Sequence, residues 1–522
     1  MVWMRTLEVQ NPLILKLKES TRLMYNGDIA INAGRSAMRC AGGTCFWPKS
    51  ANGLVNIPYT LSSAYAPENR SLITNAMTEF ASLTCIRFVP RTNEVDYLSI
   101  ISESGCWSSM GRSGGAQDLS LDRSGCIVHG VIQHELNHAL GFEHEHSRSD
   151  RDSYIKVMWN NIIPEYKDAF NKIDTNNLGL EYDYSSVMHY GKYTFSRNYL
   201  LPSIEPILNK FTPIGQRFGL SNLDVAKINR LYGCNICSSV LSDFGGTFSS
   251  ASYPSSYPNN NNCTWLIRVP SDKVALQFSA FDIQTSRDCA SDYIRVFDGS
   301  SRTSPLLLDR SCGTGQMPYL VSSRNALLVE FITDQSVTAT GFRASYSTVT
   351  CGGTFTAPKG EVSSPGYDQM KLYPPYADCT WTILAPAGYL VRLEFVAFSL
   401  EDSDSCAYDS LEIRDGMLPT SPLLRTHCGK VKIPTVTSTR NALLLKMSSD
   451  NSEESTGFLA NYAFGKTYSS GSSCLNDGRQ TNRASIYYVH KVTKTIQKID
   501  VYRNMKEMKV IHVYTQTHVE SC

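Results

Sequence analysis

The sequence lacks three features that would point to particular classes of protein. It has almost no excess charge, since 49 Lys and Arg residues face 48 Asp and Glu residues, so no bulk field favours binding to nucleic acid or an anionic membrane. It has no apolar run near the roughly 18 residues that a membrane span needs. Its first twenty residues, MVWMRTLEVQNPLILKLKES, lack the roughly 7–15-residue apolar region of a signal peptide.

Cysteine, by contrast, is abundant, with sixteen residues spread over the 522-residue chain. This distribution predicts disulfides formed in an oxidising compartment rather than cysteine-bound zinc, and therefore a secreted protein. The missing signal peptide conflicts with secretion, so we expect either that the true start lies upstream or that this sequence is truncated at its amino end. A chain of this length should divide into about three or four domains.

The densest chemical pattern is HELNHALGFEHEHSRSDRD, which holds four of the ten histidines in nineteen residues. If it begins on a helix, His134 and His138 stand one turn apart on the same face and can reach one ion. Gly141 then breaks the helix, so the chain can turn back and His144 can supply a third nitrogen. Three neutral ligands leave a position open for water, as in catalytic zinc sites. Glu135 is placed to take a proton from that water.

The same stretch resembles the signature of the astacin metallopeptidases. The pattern HExxHxxGxxH is common to metzincins, and the continuation from Glu145 to Asp152, EHSRSDRD, is typical of astacins. Residues 186–190, SVMHY, match the astacin Met-turn. The resemblance implies that Met188 lies under the zinc as a hydrophobic base, and that Tyr190 is a fifth ligand that swings away to stabilise the transition state. Considered alone, both would be ordinary buried residues.

The resemblance to astacins covers residues 36–235. The pattern of this region predicts an α+β fold, and the resemblance implies that the fold is of the metzincin type. Helix-like runs occupy residues 70–83 and 127–140, and strand-like runs occupy residues 85–89 and 97–101. The mixture of the two periods is what favours an α+β domain over an all-α or all-β domain.

Six cysteines of this region are assigned to disulfides by the resemblance alone: Cys85 with Cys234, Cys106 with Cys126, and Cys40 with Cys45. The short loop in RCAGGTCFWPKS, ahead of WPKS, is similar to hatching-enzyme members of the family, which implies an egg-envelope substrate. Cys474 and Cys522 are left over.

Two internal repeats follow residue 235. Each has four cysteines, with gaps of 26, 26 and 23 residues in the first and 28, 27 and 22 in the second. Short β-rich segments bounded by Gly, Asp and Ser predict two antiparallel sandwiches, each with two disulfides. The shared CTW, DG and GF-x-x-x-Y motifs resemble CUB domains, at residues 237–348 and 351–464; residues 465–522 receive no fold. The repeat cysteines are Cys237, Cys263, Cys289, Cys312, Cys351, Cys379, Cys406 and Cys428.

Many CUB domains hold calcium with three acids at one end of the sandwich, and calcium prefers such hard oxygen ligands. The matching residues are Glu401, Asp409 and Asp450 in the second repeat, and Gln284, Asp292 and Asp334 in the first. The first repeat lacks one charge, which weakens the case for calcium there. Acidic loop residues without an ion are the alternative in both repeats.

Residues 1–35 are interpreted as a propeptide remnant. In astacin zymogens a Gly-Asp-Ile motif delivers an aspartate to the zinc, so the resemblance implies that Asp28 blocks the open position; a turn residue is the alternative. Cleavage after Arg35 by an activating protease would free Ser36 or a neighbour as a new terminus. The resemblance places that terminus against Glu145, which could otherwise be a solvated surface acid.

Together these patterns predict a secreted zinc endopeptidase whose CUB domains dock on an extracellular protein substrate, with egg-envelope glycoproteins suggested by the hatching-enzyme resemblance. One alternative is tolloid-like processing of matrix or growth-factor precursors, although no EGF-type six-cysteine module separates the repeats. The other is a non-catalytic CUB binding protein, which would require a damaged site, whereas every motif residue is present.

Overall fold

The computed structural model describes residues 24–30 and 45–466. Arg35, Ser36, Cys40, Cys474 and Cys522, and the tail after residue 466, lie outside this part. The first part of the described chain is an α+β domain. Its elements are β1 (Met24–Tyr25), β2 (Ile29–Ala30), β3 (Val55–Leu61), α1 (Pro67–Leu83), β4 (Ile86–Pro90), β5 (Tyr97–Ile101), β6 (Cys106–Ser109), β7 (Ala116–Leu121), α2 (His129–Ala139), β8 (Ile155–Val157), β9 (Ile204–Pro206) and α3 (Asn222–Leu231).

Seven of these strands form one sheet in the order β1-β2-β6-β7-β5-β3-β4. Strands β7, β5, β3 and β4 run parallel, whereas β6 is antiparallel to β7. Helix α1 packs its apolar face inward, with Ile73, Met77 and Phe80 buried at helical spacing. It begins three residues before the expected run 70–83, because proline is tolerated in the first turn of a helix and Pro67 occupies it. The expected α+β fold is confirmed.

Helix α2 carries the first half of the histidine motif and lies in the interior, since every residue from Gly130 to Ala139 is buried. It stops at Leu140, and Gly141 follows with φ of +98°, a left-handed conformation that favours glycine. The Gly141 amide donates to the His138 carbonyl, 2.8 Å away. The chain therefore reverses direction directly after the second histidine of the motif.

The two repeats fold as β-sandwiches, the predicted class. The first sandwich has sheets β10-β12-β18-β14-β15 and β11-β19-β13-β16, with β17 also on β13; the second has sheets β20-β22-β27-β24-β25 and β21-β28-β23-β26. Their strands are β10 (Cys237–Leu241), β11 (Gly245–Ser249), β12 (Asn262–Arg268), β13 (Lys273–Ile283), β14 (Tyr293–Phe297), β15 (Leu306–Ser311), β16 (Gly313–Thr314), β17 (Leu320–Val321), β18 (Ala326–Ile332), β19 (Gly341–Val349), β20 (Gly352–Phe355), β21 (Lys359–Ser363), β22 (Asp378–Leu384), β23 (Tyr389–Ser399), β24 (Ser410–Arg414), β25 (Leu423–His427), β26 (Val436–Thr437), β27 (Ala442–Ser448) and β28 (Gly457–Lys466).

Disulfides connect distant parts of each domain. Cys234 and Cys237 have the Cys-x-x-Cys spacing that zinc sites also use, yet they belong to different disulfides on either side of a domain boundary. The bonds are Cys85–Cys234, Cys106–Cys126, Cys237–Cys263, Cys289–Cys312, Cys351–Cys379 and Cys406–Cys428. The expected bond between Cys40 and Cys45 includes a residue outside the described part of the chain.

Candidate metal centre and active site

The three histidines of the motif converge on one point. His134 and His138 are one turn apart on α2, and the reversal at Gly141 brings His144 beside them. The Nε2 atom of His134 lies 3.2 Å from the Nε2 atoms of both His138 and His144. All three rings are buried.

The outer ring nitrogens of His134 and His138 show which tautomer these two rings adopt. His134 Nδ1 lies 2.9 Å from the Val187 carbonyl oxygen, and His138 Nδ1 lies 2.8 Å from that of Phe142. A carbonyl oxygen can only accept, so both Nδ1 atoms donate and each Nε2 carries a lone pair. Burial also lowers the pKa of His134 to about 3, which keeps the ring neutral.

Lone pairs that face one another at this distance need a cation between them. A tetrahedral zinc with Zn–N bonds of about 2.0–2.1 Å separates neighbouring nitrogens by about 3.3–3.4 Å. The nitrogen separations of the cluster match that value, and neutral imidazole is a preferred zinc ligand. The donor set therefore fits zinc.

Asp28 faces the same point from the opposite side. Its Oδ2 lies 3.2 Å from His134 Nε2, and its Oδ1 lies 3.4 Å and 3.1 Å from the Nε2 atoms of His138 and His144. The carboxylate thus occupies the fourth side of the cluster.

The segment that carries Asp28 is held in place by its backbone. Strand β2 pairs in parallel with β6, and the Ser108 amide donates to the Asp28 carbonyl at 3.1 Å. The Tyr190 hydroxyl donates to the Asn26 carbonyl at 2.8 Å. Gly27 has φ of +96°, and an added Cβ there would collide with that hydroxyl. Only glycine fits this close approach.

Glu135 is buried beside His134 on α2, and among the described residues its Oε2 has no hydrogen-bond partner. Burial and the nearby charge of Asp28 raise the pKa of Glu135 well above its usual value. A buried carboxylate oxygen without a hydrogen-bond partner is available to accept a proton.

The predicted Met-turn passes directly behind the histidines. Its conformation is held by Asp224 on α3, which accepts from the Ser186 hydroxyl at 2.6 Å and from the Val187 amide at 2.8 Å. The Met188 side chain is buried, and its carbonyl accepts from the Glu145 amide at 3.0 Å. This bond links the turn to the residue that follows the third histidine.

Tyr190 lies against the cluster through its ring. The ring centroid is 4.6 Å from that of His144 and 3.8 Å from that of His146, on which it stacks. Burial and the charge of Asp28 raise the pKa of Tyr190 well above its usual value, so its hydroxyl stays protonated and can donate a hydrogen bond.

Glu145 is buried and fully paired rather than solvated. Its Oε2 accepts from Lys227 Nζ at 2.6 Å, and its Oε1 accepts from Arg148 at 3.0 Å and from the Asp183 amide at 2.8 Å. The terminus expected at Ser36 lies outside the described residues.

The sequence analysis did not identify two basic residues that lie near the site. Lys227 is three positions after Asp224 on α3, so one helix face holds both the Met-turn and Glu145. Arg217 donates to the His189 carbonyl at 3.1 Å; burial lowers its pKa, whereas the charges of Asp28 and Glu135 raise it. No motif includes either residue, since both reach the site only through folding.

The acids of the second sandwich also converge, and their carboxylate oxygens lie within 4.8 Å of one another. These residues are Glu401, Asp409 and Asp450. Asp409 is buried and accepts from the Tyr373 hydroxyl, and the Asp450 amide donates to Asp409 at 2.9 Å. Desolvation and the charges of Asp409 and Asp450 raise the pKa of Glu401, because like charges that lie close together disfavour ionisation.

The first sandwich has the same framework without the third carboxylate. The Tyr257 hydroxyl donates to Asp292 at 2.7 Å, and the Asp334 amide donates to Asp292 at 2.8 Å. Gln284 stands where the second sandwich has Glu401. Its backbone amide donates to the Tyr257 hydroxyl at 3.0 Å, just as the Glu401 backbone amide donates to the tyrosine hydroxyl of its own repeat.

None of the helices in residues 24–30 and 45–466 combines the length and the apolar composition needed to cross a membrane.

Comparison with known proteins matches the chain to two families. The model of the astacin peptidase family matches residues 45–233, and the CUB domain model matches residues 237–346 and 351–462. Embryonic protein UVS.2 of Xenopus laevis is 48% identical over 453 residues, which cover 86% of this chain and 87% of that protein. The astacin-like metalloendopeptidase of Gallus gallus is 50% identical over 331 residues, which cover 63% of this chain and 80% of that protein.

Among solved structures, the chain is similar to high choriolytic enzyme 1, a hatching enzyme zinc-protease from Oryzias latipes. The two are 56% identical over 38% of this chain and 100% of the other, with a TM-score of 0.38. The sequence matches carry the assignment: with 50% identity across 80% of an astacin-like metalloendopeptidase, and with both family models in the same order along the chain, this protein belongs to the astacin family of metalloendopeptidases and carries two CUB domains after its peptidase domain.

Proposed function

We propose that this astacin-family enzyme is secreted and uses zinc to cleave extracellular proteins, with egg-envelope glycoproteins as substrates. The observation that carries the zinc proposal is the lone-pair geometry: His134 Nε2 lies 3.2 Å from the Nε2 atoms of His138 and His144. Six disulfides in the described residues support an oxidising, extracellular environment. The egg-envelope substrate rests on the similarity of RCAGGTCFWPKS to hatching enzymes.

Zinc bound by the three histidines would activate water and polarise the peptide carbonyl. Glu135 removes the proton from the attacking water and returns it to the leaving amine, a role that suits its unpartnered Oε2. The Tyr190 hydroxyl donates a hydrogen bond to the developing oxyanion. That hydroxyl is bound to the Asn26 carbonyl in this structure, so it becomes available when the segment leaves.

The same segment makes the uncleaved chain latent. Asp28 contacts all three histidine nitrogens at 3.1–3.4 Å, so substrate and Asp28 compete for one position. We assign residues 1–35 to the propeptide and 36–235 to the peptidase domain, with an activating protease cutting after Arg35. The new terminus at Ser36 would join Lys227 and Arg148 around Glu145.

The two CUB domains, at residues 237–348 and 351–464, would dock the enzyme on its protein substrate, whereas residues 465–522 remain unassigned. Calcium is proposed for the second of them, where Glu401, Asp409 and Asp450 offer hard oxygen ligands within 4.8 Å. The calcium would stabilise the loops at that end of the sandwich.

The catalytic proposal is tested with Glu135→Gln in the activated chain. Loss of the proton acceptor should lower kcat/KM on casein or a peptide by about 10²–10⁴-fold or more, with zinc still bound in a one-to-one ratio. The control is Glu165→Gln, the same change at an exposed residue, which should leave activity unchanged. Full activity in Glu135→Gln, or the absence of stoichiometric zinc in active protein, would contradict the proposal.

The substrate is tested by incubating the activated enzyme with vitelline or chorion material and, separately, with procollagen. Cleavage of envelope glycoproteins that disappears in Glu135→Gln supports the hatching role. Cleavage of procollagen alone would favour the tolloid-like alternative, and binding without cleavage of either would favour a non-catalytic CUB protein.

A further inference from the structure

The side chain of Arg268, the last residue of β12, leaves the first sandwich and is buried in the α+β domain. Its Nη1 donates to Glu79 Oε1 at 2.7 Å, and its Nη2 donates to the Leu220 carbonyl at 2.6 Å. The side chains of Arg268 and Glu79 are 9% and 0% exposed. Gly219 leaves room for the guanidinium, since an added Cβ there would lie 2.5 Å from it.

Both partners of Arg268 connect to the helix that carries the catalytic motif. Glu79 Oε2, on α1, lies 2.9 Å from Nε2 of His129, the first residue of α2. The Leu220 amide donates to Gln133 Oε1, also on α2, at 2.8 Å. A single guanidinium from the first sandwich therefore touches two groups that hold α2, directly before His134 and Glu135.

Leu220 also precedes the start of α3, which holds the remaining parts of the site. Asp224 fixes the Met-turn through Ser186 and Val187. Lys227 pairs with Glu145, the neighbour of the third histidine. The position of α3 relative to α2 thus determines how the third ligand and the Met-turn meet the first two ligands.

Other contacts between the first sandwich and the α+β domain keep Arg268 in place. Arg302 of the first sandwich donates to the carbonyl of Ser82 at 3.1 Å, and its amide donates to the Ser82 hydroxyl at 3.1 Å. Apolar side chains of the first sandwich join the buried core of the α+β domain: Val240, Leu266, Phe297, Ala326 and Leu328.

We propose that Arg268 is a positioning residue for peptide cleavage, and that the first sandwich is thereby part of the catalytic unit rather than only a docking module. The proposal rests on the proposed zinc peptidase function. A side chain that served substrate docking would face solvent, whereas Arg268 is buried against Glu79 and Leu220. The second sandwich has Leu384 at the equivalent position, since Arg268 pairs with Ala326 as Leu384 pairs with Ala442.

The test uses the full activated chain with the substitution Arg268→Leu. Leucine is chosen because the second sandwich has Leu384 at the equivalent position. The substrate is a quenched fluorescent peptide of about eight residues, too short to reach the sandwiches. We expect kcat to fall at least tenfold with KM within twofold of wild type, and hydrogen exchange of the α2 amides to accelerate at least tenfold at a temperature where the protein is folded. The control is Arg414→Leu, which breaks a pair with Glu412 inside the second sandwich, and it should change neither readout.

A second variant distinguishes the positioning role of Arg268 from the destabilisation caused by leaving Glu79 buried without its arginine partner. Glu79→Leu/Arg268→Leu removes both charges of the buried pair, and it should fold while kcat stays at least fivefold low, because the bond to the Leu220 carbonyl is still missing. A folded Arg268→Leu or double variant with wild-type kcat and α2 exchange would overturn the proposal, as would a double variant that does not fold. If wild type itself shows no zinc-dependent cleavage, the proposed function fails, and the α2 exchange rates alone decide whether Arg268 holds the helix.

Discussion

The two sandwiches of this protein share one framework and differ in what they contact. Both have the same order of strands in their first sheets and two disulfides at matching places. In both, a buried tyrosine donates to a buried aspartate, Tyr257 to Asp292 and Tyr373 to Asp409. The common framework is set by residues that face the interior, so the differences must come from the surface.

The first difference is at the face that meets the neighbouring domain. The first sandwich presents Arg268 and Arg302, which bond into the α+β domain. The second presents Leu384 and Pro419, as the shared hydrogen bonds of the repeats place them. The residues at these two positions therefore determine whether a sandwich forms arginine hydrogen bonds with the neighbouring domain.

The second difference is in the acidic loops that could bind an ion. The second sandwich has three carboxylates within 4.8 Å, including Glu401, whereas the first has Gln284 in place of that glutamate. One sandwich is thus suited to anchor the active site, and the other is suited to bind calcium.

The largest expected effect is a loss of unfolding free energy when a charge pair of the first sandwich is broken, compared with a pair of the second sandwich. Glu79→Leu leaves the Arg268 guanidinium buried without its carboxylate, which should cost about 3–5 kcal/mol of unfolding free energy. Glu412→Leu breaks a partly exposed pair with Arg414 in the second sandwich and should cost about 0–1 kcal/mol. Urea unfolding of both variants measures the difference, and equal losses would contradict the distinction.

The same pair predicts a pH dependence. Burial alone would raise the pKa of Glu79, but Arg268 and His129 lower it well below its usual value. A folded-state pKa below the unfolded value of about 4.3 means that the stabilisation is present above that pH and is lost as the pH falls through the folded pKa. Wild type should therefore lose unfolding free energy faster than Glu79→Leu/Arg268→Leu between about pH 4 and pH 2. Parallel pH profiles would exclude an ionised Glu79.

The calcium difference predicts a smaller effect in the second sandwich. At a hundredfold excess over its Kd, calcium should add about 2.7 kcal/mol to the unfolding free energy of a sandwich that binds it. Asp409→Asn removes a buried ligand carboxylate and should abolish this increase. Calorimetric melting with calcium and with EGTA measures it, and Asp292→Asn in the first sandwich is the matched control. A calcium response that survives Asp409→Asn would contradict the site.

The smallest effect is a gain of function in the first sandwich. Gln284→Glu supplies the missing carboxylate beside Asp292 and Asp334. If calcium then binds with a Kd near the working concentration, the free energy of unfolding should rise by about 0.4 kcal/mol. Isothermal titration of the variant against wild type tests this. No binding would indicate that the loops around Gln284, and not its charge alone, prevent a site.

Sequence reasoning succeeded where the determining contacts are local. His134 and His138 share a helix face because the α-helix repeats every 3.6 residues, and a left-handed glycine at Gly141 ends that helix. The fold class of the repeats was likewise predictable, because strand alternation, turns and cysteine spacing recur twice. The position of Asp28 was predicted only by resemblance, since 106 positions separate it from His134.

The sequence by itself determined the family and the residues proposed as zinc ligands and proton acceptor, because the histidine motif and the repeated sandwiches depend on short spacings. Only the tertiary structure decided how the parts are held. Arg268 meets Glu79 across 189 positions, and Lys227 meets Glu145 across 82. No local period relates such residues. They pair because the attraction between opposite charges offsets the free-energy cost of removing each charge from water.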